Sequence, residues 1–141
     1  MALISDRDRE KIRGMLAGLT GPVKLINFTQ ELACEYCRDT EQLVREVSEL
    51  SDKITAEVYN FQIDQDQVAK YRVDKIPAIV VEGAKDYGIR FYGIPLGYEF
   101  VSLLGAIEDV SRGATGLSDQ TRAALAGVHQ PVHLQVYVTP T

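Results

Sequence analysis

Both cysteines of this 141-residue chain stand three positions apart, in Ala33-Cys34-Glu35-Tyr36-Cys37-Arg38, where an apolar run meets a helical pattern. Two cysteines scattered over such a length would fall at that spacing in roughly one case in 70, so the Cys-x-x-Cys pair is the feature the rest of the chain frames. Upstream, Val23-Lys24-Leu25-Ile26-Asn27-Phe28-Thr29 is apolar and partly β-branched, which predicts a central strand covered on both faces. Gln30 to Ala33 then delivers Cys34 to the start of a helix. Thr40, Leu43, Val44, Val47 and Leu50 recur at three- and four-residue intervals and carry that helix through Leu50.

The other segments supply a frame for this unit. Ser5 caps a leading helix from Asp6, with Ile12, Met15, Leu16 and Leu19 on its inner side and Thr20-Gly21-Pro22 ending it. Ile54 to Phe61 alternates as a second strand, and Gln65 to Tyr71 reads as a short helix with Val68, Ala69 and Tyr71 turned inward. After the break Lys75-Ile76-Pro77, Ala78-Ile79-Val80-Val81 and Ile89-Arg90-Phe91-Tyr92-Gly93 form a β-hairpin through Glu82-Gly83-Ala84-Lys85. A helix then opens at Leu96-Gly97-Tyr98-Glu99 and places Phe100, Leu103, Leu104, Ile107 and Val110 on one face. Strand and helix order predicts an α/β fold, a mixed central sheet with helices on both sides.

Charge narrows the function. A net charge of −5 with no basic run excludes a nucleic-acid or anionic-membrane surface, which needs a clustered basic face. The start of the chain lacks the apolar core of a secretory signal, and no 18-residue apolar run follows, so a cytoplasmic location is expected. There the thiol pools keep cysteines reduced, and a close-spaced pair reads as catalytic rather than structural.

Residues 114–141 echo the beginning. Leu117-Ser118-Asp119, a helical stretch and Gln130-Pro131-Val132-His133-Leu134-Gln135-Val136-Tyr137 repeat the order of Ile4-Ser5-Asp6, a helix and Gly21-Pro22-Val23-Lys24-Leu25-Ile26-Asn27-Phe28. Such a period suggests duplication of a whole domain, with 1–113 a complete unit and 114–141 the linker helix and first strand of a truncated second one. An unpaired apolar strand over Val132 to Val138 invites pairing with another chain, so a homodimer through this tail is expected.

A disulfide-exchange catalyst needs one thiol ionised near neutral pH and a second within reach to resolve the mixed disulfide. Cys34, at a helix start, faces free backbone N–H groups, and Cys37 lies one turn inside on the same side. The helix dipole supplies about 0.3–1 kcal/mol, less than the about 1.36 kcal/mol of one pKa unit, so direct hydrogen bonds must do the remainder. Glu35 opposes ionisation and Arg38 partly offsets it. A stabilised thiolate favours the dithiol, giving a middling potential rather than a strongly oxidising one.

Other readings stand beside this one. The cysteines would serve a metal or iron–sulfur site only if a second subunit completed it, since two thiolates are too few and no further Cys or His pair has ligand spacing. His129 and His133 are separated by Pro131, which prevents a helix from aligning them. No metal or other cofactor is called for. Asp64 and Asp66 read as a solvated helix cap and Lys75 as a turn charge, whereas Tyr36, on the exposed loop, is placed to contact a substrate. A redox-inactive binding or dimerisation domain is the rival from a different class.

Taken together, Cys34-Glu35-Tyr36-Cys37 after a strand, Asp64 to Tyr71 leading into Ile76-Pro77-Ala78-Ile79, and the hairpin–helix ending resemble thioredoxin-fold dithiol oxidoreductases. The specific form is similar to the protein disulfide oxidoreductases of archaea and thermophilic bacteria, also called glutaredoxin-like proteins, which carry two such units in one chain. The resemblance implies a thioredoxin-like fold with an additional N-terminal helix and strand. It also implies a cis Ile76–Pro77 bond lying against the dithiol, with Ile76 and Pro77 presenting a backbone edge to an extended substrate. Cys34 would attack and Cys37 resolve disulfides of protein substrates, with a thioredoxin-reductase-like electron donor.

Overall fold

A computed structural model describes residues 1–139. The order of elements is α1 (Asp6–Leu16), β1 (Val23–Thr29), α2 (Cys37–Ser48), β2 (Ile54–Asn60), α3 (Gln65–Tyr71), β3 (Ala78–Glu82), β4 (Arg90–Tyr92), α4 (Tyr98–Arg112) and α5 (Asp119–Ala126). The strands form one mixed sheet in the order β2-β1-β3-β4, in which β1 runs parallel to β2 and antiparallel to β3, and β3 runs antiparallel to β4. The strand that leads to the cysteines is therefore an inner strand, as its apolar run requires.

Alternation along β1 divides the core. Val23 and Leu25 join Ile12 and Leu16 of α1, Leu43, Val44 and Val47 of α2, Ile79 and Val81 of β3, and Leu103 and Ile107 of α4. Ile26 and Phe28 point the other way and pack with Tyr71, Val73, Ala78 and Val80. Helices thus cover both faces, and the mixed α/β architecture expected from the sequence is the one observed. On α4, Leu103, Leu104, Ile107 and Val110 are buried, the face that their spacing predicts.

The extra helix α1 leads into β1. The Ser5 hydroxyl accepts the Asp8 amide at 3.2 Å, so the predicted cap is present. The chain ahead of α1 is fastened to α2: the Glu46 carboxylate accepts the Leu3 and Ile4 amides at 2.8 and 2.9 Å and meets Arg9 at 3.1 Å.

Several expectations are corrected. Helix α2 begins at Cys37, three residues after Cys34, and ends at Ser48. Met15 and Ala69 are exposed: the buried side of α1 is confined to Ile12 and Leu16, and that of α3 to Tyr71. Helix α4 opens at Tyr98, beyond Gly97, whose φ of +59° lies outside the right-handed helical region. The segment 132–138 is not a strand; it is exposed throughout and has no sheet neighbour among the described residues. Pro140 and Thr141, which close the proposed second unit, lie outside the described residues.

Candidate active site

The loop from β1 to α2 is shaped by backbone as much as by side chains. Ala33 adopts φ +56°, the left-handed region that L-residues enter at a cost of about 1–2 kcal/mol, and this reversal turns the chain toward Cys34. Tyr36 occupies the N-cap of α2 without a side-chain cap. Thr40 closes the junction from inside: its amide and its Oγ1 both donate to the Tyr36 carbonyl, at 2.9 and 2.7 Å.

Cys34 and Cys37 are joined as a disulfide across a Cα–Cα distance of 5.5 Å. Their environments differ. Cys34 is half-buried at the rim, whereas Cys37, as the first residue of α2, is 1% exposed. The two positions therefore differ in access although the helix starts later than its periodicity predicts: residue 34 is partly open to solvent and residue 37 is closed off from it. In the disulfide neither sulfur titrates or is free to bind a metal ion. Among the described residues, no group of three or more His, Cys, Asp or Glu side chains is arranged to hold one.

A cleft of about 490 Å³ opens beside Cys34, lined among others by Thr29, Gln30, Arg38, Val58 and Asp64. Arg38 thus shares a wall with the accessible cysteine, while Glu35 and Tyr36 are exposed on the loop itself, Tyr36 at 48%. The Ile76–Pro77 bond is cis. Pro77 is buried and its carbonyl accepts the Gly93 amide at 2.9 Å, whereas Ile76 is half-buried and its backbone makes no backbone hydrogen bond among the described residues.

A family model for the thioredoxin domain matches residues 24–104. The chain belongs to this family. The thioredoxin-domain match begins in β1 and ends in α4, so it contains the dithiol loop, the Ile76–Pro77 bond and the sheet except for Val23. Among solved structures, the chain is similar to a protein disulfide oxidoreductase from Aeropyrum pernix K1, with 29% identity and a TM-score of 0.78, covering 87% of this chain and 54% of that one. It is also similar to the NTD_N/C domain of alkylhydroperoxide reductase AhpF from Enterococcus faecalis, with 27% identity and a TM-score of 0.76, covering 85% of this chain and 58% of that one. The AhpF component of alkyl hydroperoxide reductase from Escherichia coli is 32% identical over 99 residues, which cover 70% of this chain and 17% of that protein. The chain therefore spans about half of the matched solved structures and under a fifth of that curated relative. It is a thioredoxin-fold domain with a Cys-x-x-Cys pair, similar to the N-terminal domain of AhpF. Among the described residues, no helix is long and apolar enough to cross a membrane.

Three features of this thioredoxin-domain site were not read from the sequence. The left-handed Ala33 carries no glycine or asparagine to announce it. Thr40 looks like one more position of a helical stripe, and only the fold shows its hydroxyl tied to Tyr36. Asn27, in the middle of an apolar strand, is fully buried, and neither its Nδ2 nor its Oδ1 has a hydrogen-bond partner among the described residues.

Proposed function

We propose that this domain exchanges electrons with disulfides of protein substrates, Cys34 attacking and Cys37 resolving. The observation that carries the reading is the pair itself: two cysteines already bonded, one sulfur at the rim of a cleft and the other buried behind it. Starting from the dithiol, the Cys34 thiolate attacks one sulfur of a substrate disulfide, forming a mixed disulfide and releasing one substrate thiolate. Cys37 then loses its proton and attacks Sγ of Cys34, releasing the second substrate thiolate and leaving the Cys34–Cys37 disulfide. Two electrons pass to the substrate, and the two thiolates take up the two protons. Burial of Cys37 protects the resolving sulfur from adventitious partners, while Cys34 remains accessible.

The cis Ile76–Pro77 segment supports a docking edge: with the Pro77 carbonyl engaged by Gly93, the backbone of Ile76 is the group left to pair with an extended substrate. Tyr36 offers an exposed ring beside the dithiol, and Glu35 and Arg38 set the local charge. Similarity to the AhpF component of alkyl hydroperoxide reductase supports a reductase-like electron donor, in the same protein or in a complex, that returns the disulfide to the dithiol. The same reading takes residues 114–141 as the opening of a second unit and the exposed tail as a pairing segment, for a second unit or a second copy. Insulin reduction by dithiothreitol tests the activity: the wild type should accelerate precipitation and Cys34→Ser should not. Equal rates for the two would remove catalysis and leave a binding domain.

A further inference from the structure

Asn27 is a fully buried amide on the inner strand, and both of its polar ends lack a partner among the described residues, which is costly in an apolar interior. Its position ties it to the dithiol. Leu25, two residues earlier on the same face, packs with Leu43, Val44 and Val47 of α2, so Asn27 points to the side that α2 covers. Thr29, two residues later on that face, lines the Cys34 cleft, and so does Val58, the β2 residue in register with Asn27. On the other side its register partner is Ile79, two residues beyond the cis proline. Asn27 therefore lies under the floor of the cleft, beneath the first turn of α2. Of the polar side chains that turn presents inward, Thr40 Oγ1 is committed to the Tyr36 carbonyl, which leaves the sulfur of Cys37.

We propose that Asn27 is a positioning residue for Cys37 whose hydrogen bonds form when the disulfide is reduced. The inference rests on the redox reading of the dithiol given above. A disulfide sulfur has no proton and is a weak acceptor. Reduction by two equivalents of a thiol such as glutathione breaks the S–S bond, places two electrons and two protons on the cysteines, and yields oxidised glutathione. A Cys37 thiol can then donate S–H to Oδ1, and a Cys37 thiolate can accept from Nδ2, so one neutral amide suits both protonation states of the resolving cysteine. Asn27 thereby stabilises the dithiol relative to the disulfide without a second charge in the core, and holds Cys37 beneath Cys34 while the mixed disulfide awaits resolution.

The test is the dithiol–disulfide equilibrium in glutathione buffers, measured for wild type and for Asn27→Leu, which keeps the branched shape of the side chain and removes both polar ends. Loss of the bonds in the reduced form should shift the equilibrium about tenfold toward the disulfide, or roughly 30 mV to more negative potential. A residue needed only for packing would destabilise both forms alike and leave the midpoint in place. In the wild type, the Asn27 side-chain amide protons should exchange with solvent at least severalfold more slowly in the reduced protein than in the oxidised one. That measurement decides the matter alone if Asn27→Leu fails to fold. Midpoints that agree within twofold, or amide protons equally protected in both states, overturn the proposal. A wild type whose cysteines do not interconvert in these buffers would instead remove the redox reading on which it rests.

Discussion

Replacing Glu46 tests how the chain ahead of the domain is held against the helix that carries Cys37. The carboxylate is nearly buried, its side chain 9% exposed against 18% for Arg9, and it accepts from the Leu3 amide, the Ile4 amide and Gln42 Nε2 at 2.8, 2.9 and 2.8 Å. Hydrogen bonds to a charged acceptor are worth about 1.5–3 kcal/mol each, so a plain sum would exceed 4 kcal/mol. That sum is too large, because residues 1–4 can peel away and regain water. What peeling then loses is the burial of Ile4, about 1.5–3 kcal/mol, together with the Arg9 pairing. We expect Glu46→Ala to cost about 2–3 kcal/mol and to lower Tm by roughly 6–12 °C for a chain of this size. Glu46→Gln should cost nearly as much, because its Nε2 would face a donor where the carboxylate presents a second acceptor. Deletion of residues 1–4 should cost a similar amount, and Glu46→Gln should then add little.

The pH dependence has a definite sign. Burial pushes the Glu46 carboxyl up, but the Gln42, Leu3 and Ile4 donors and Arg9 together outweigh it and hold the group below the ordinary carboxylate range. A carboxyl lowered in the folded state contributes stability that is present above its unfolded value and is lost as pH falls through the folded one. Urea denaturation followed by circular dichroism at pH 7 and pH 3 measures both effects: the gap between wild type and Glu46→Gln should narrow at the lower pH. A Glu46→Gln protein within 0.5 kcal/mol of wild type at pH 7, on the about 1 kcal/mol scale of one buried hydrogen bond, would refute the reasoning.

Two further predictions concern the dithiol loop. Cys37→Ser should let Cys34 form a mixed disulfide and leave it unresolved, so that non-reducing gels of protein mixed with a disulfide substrate show a persistent adduct absent from Cys34→Ser; adducts of equal lifetime in wild type and Cys37→Ser would contradict the resolving role. Ala33→Gly removes the left-handed penalty of about 1–2 kcal/mol but adds about 0.5–1 kcal/mol of unfolded-state freedom, so a stability gain of about 0.5 kcal/mol is expected by urea midpoint, and a clear loss would contradict the assigned backbone.

Much of this domain was legible in the sequence because local periodicity reports burial. The strand at Val23–Thr29, the helix faces around Val44 and Ile107, and the three-residue spacing of the cysteines each follow from short-range geometry that any compact fold must respect. Helix α2 starts later than its periodicity predicts because nothing in Glu35 or Tyr36 signals a cap; the turn is closed by Thr40 from within the helix. The tail from Val132 to Val138 alternates like a strand yet forms none, since a strand needs a neighbour and among the described residues this segment has no sheet beside it.

Sequence alone determined that a close-spaced cysteine pair follows an inner strand and that helices flank a mixed sheet. Tertiary structure decided how deep Cys37 sits, that Ile76–Pro77 is cis, that Glu46 binds the chain ahead of α1, and that the amide of Asn27 is sealed under the cleft. The division has one physical cause: spacing is set by hydrogen bonds between near neighbours in the chain, whereas burial and partner choice depend on groups brought together from more than 40 positions away, as with Leu3 and Glu46.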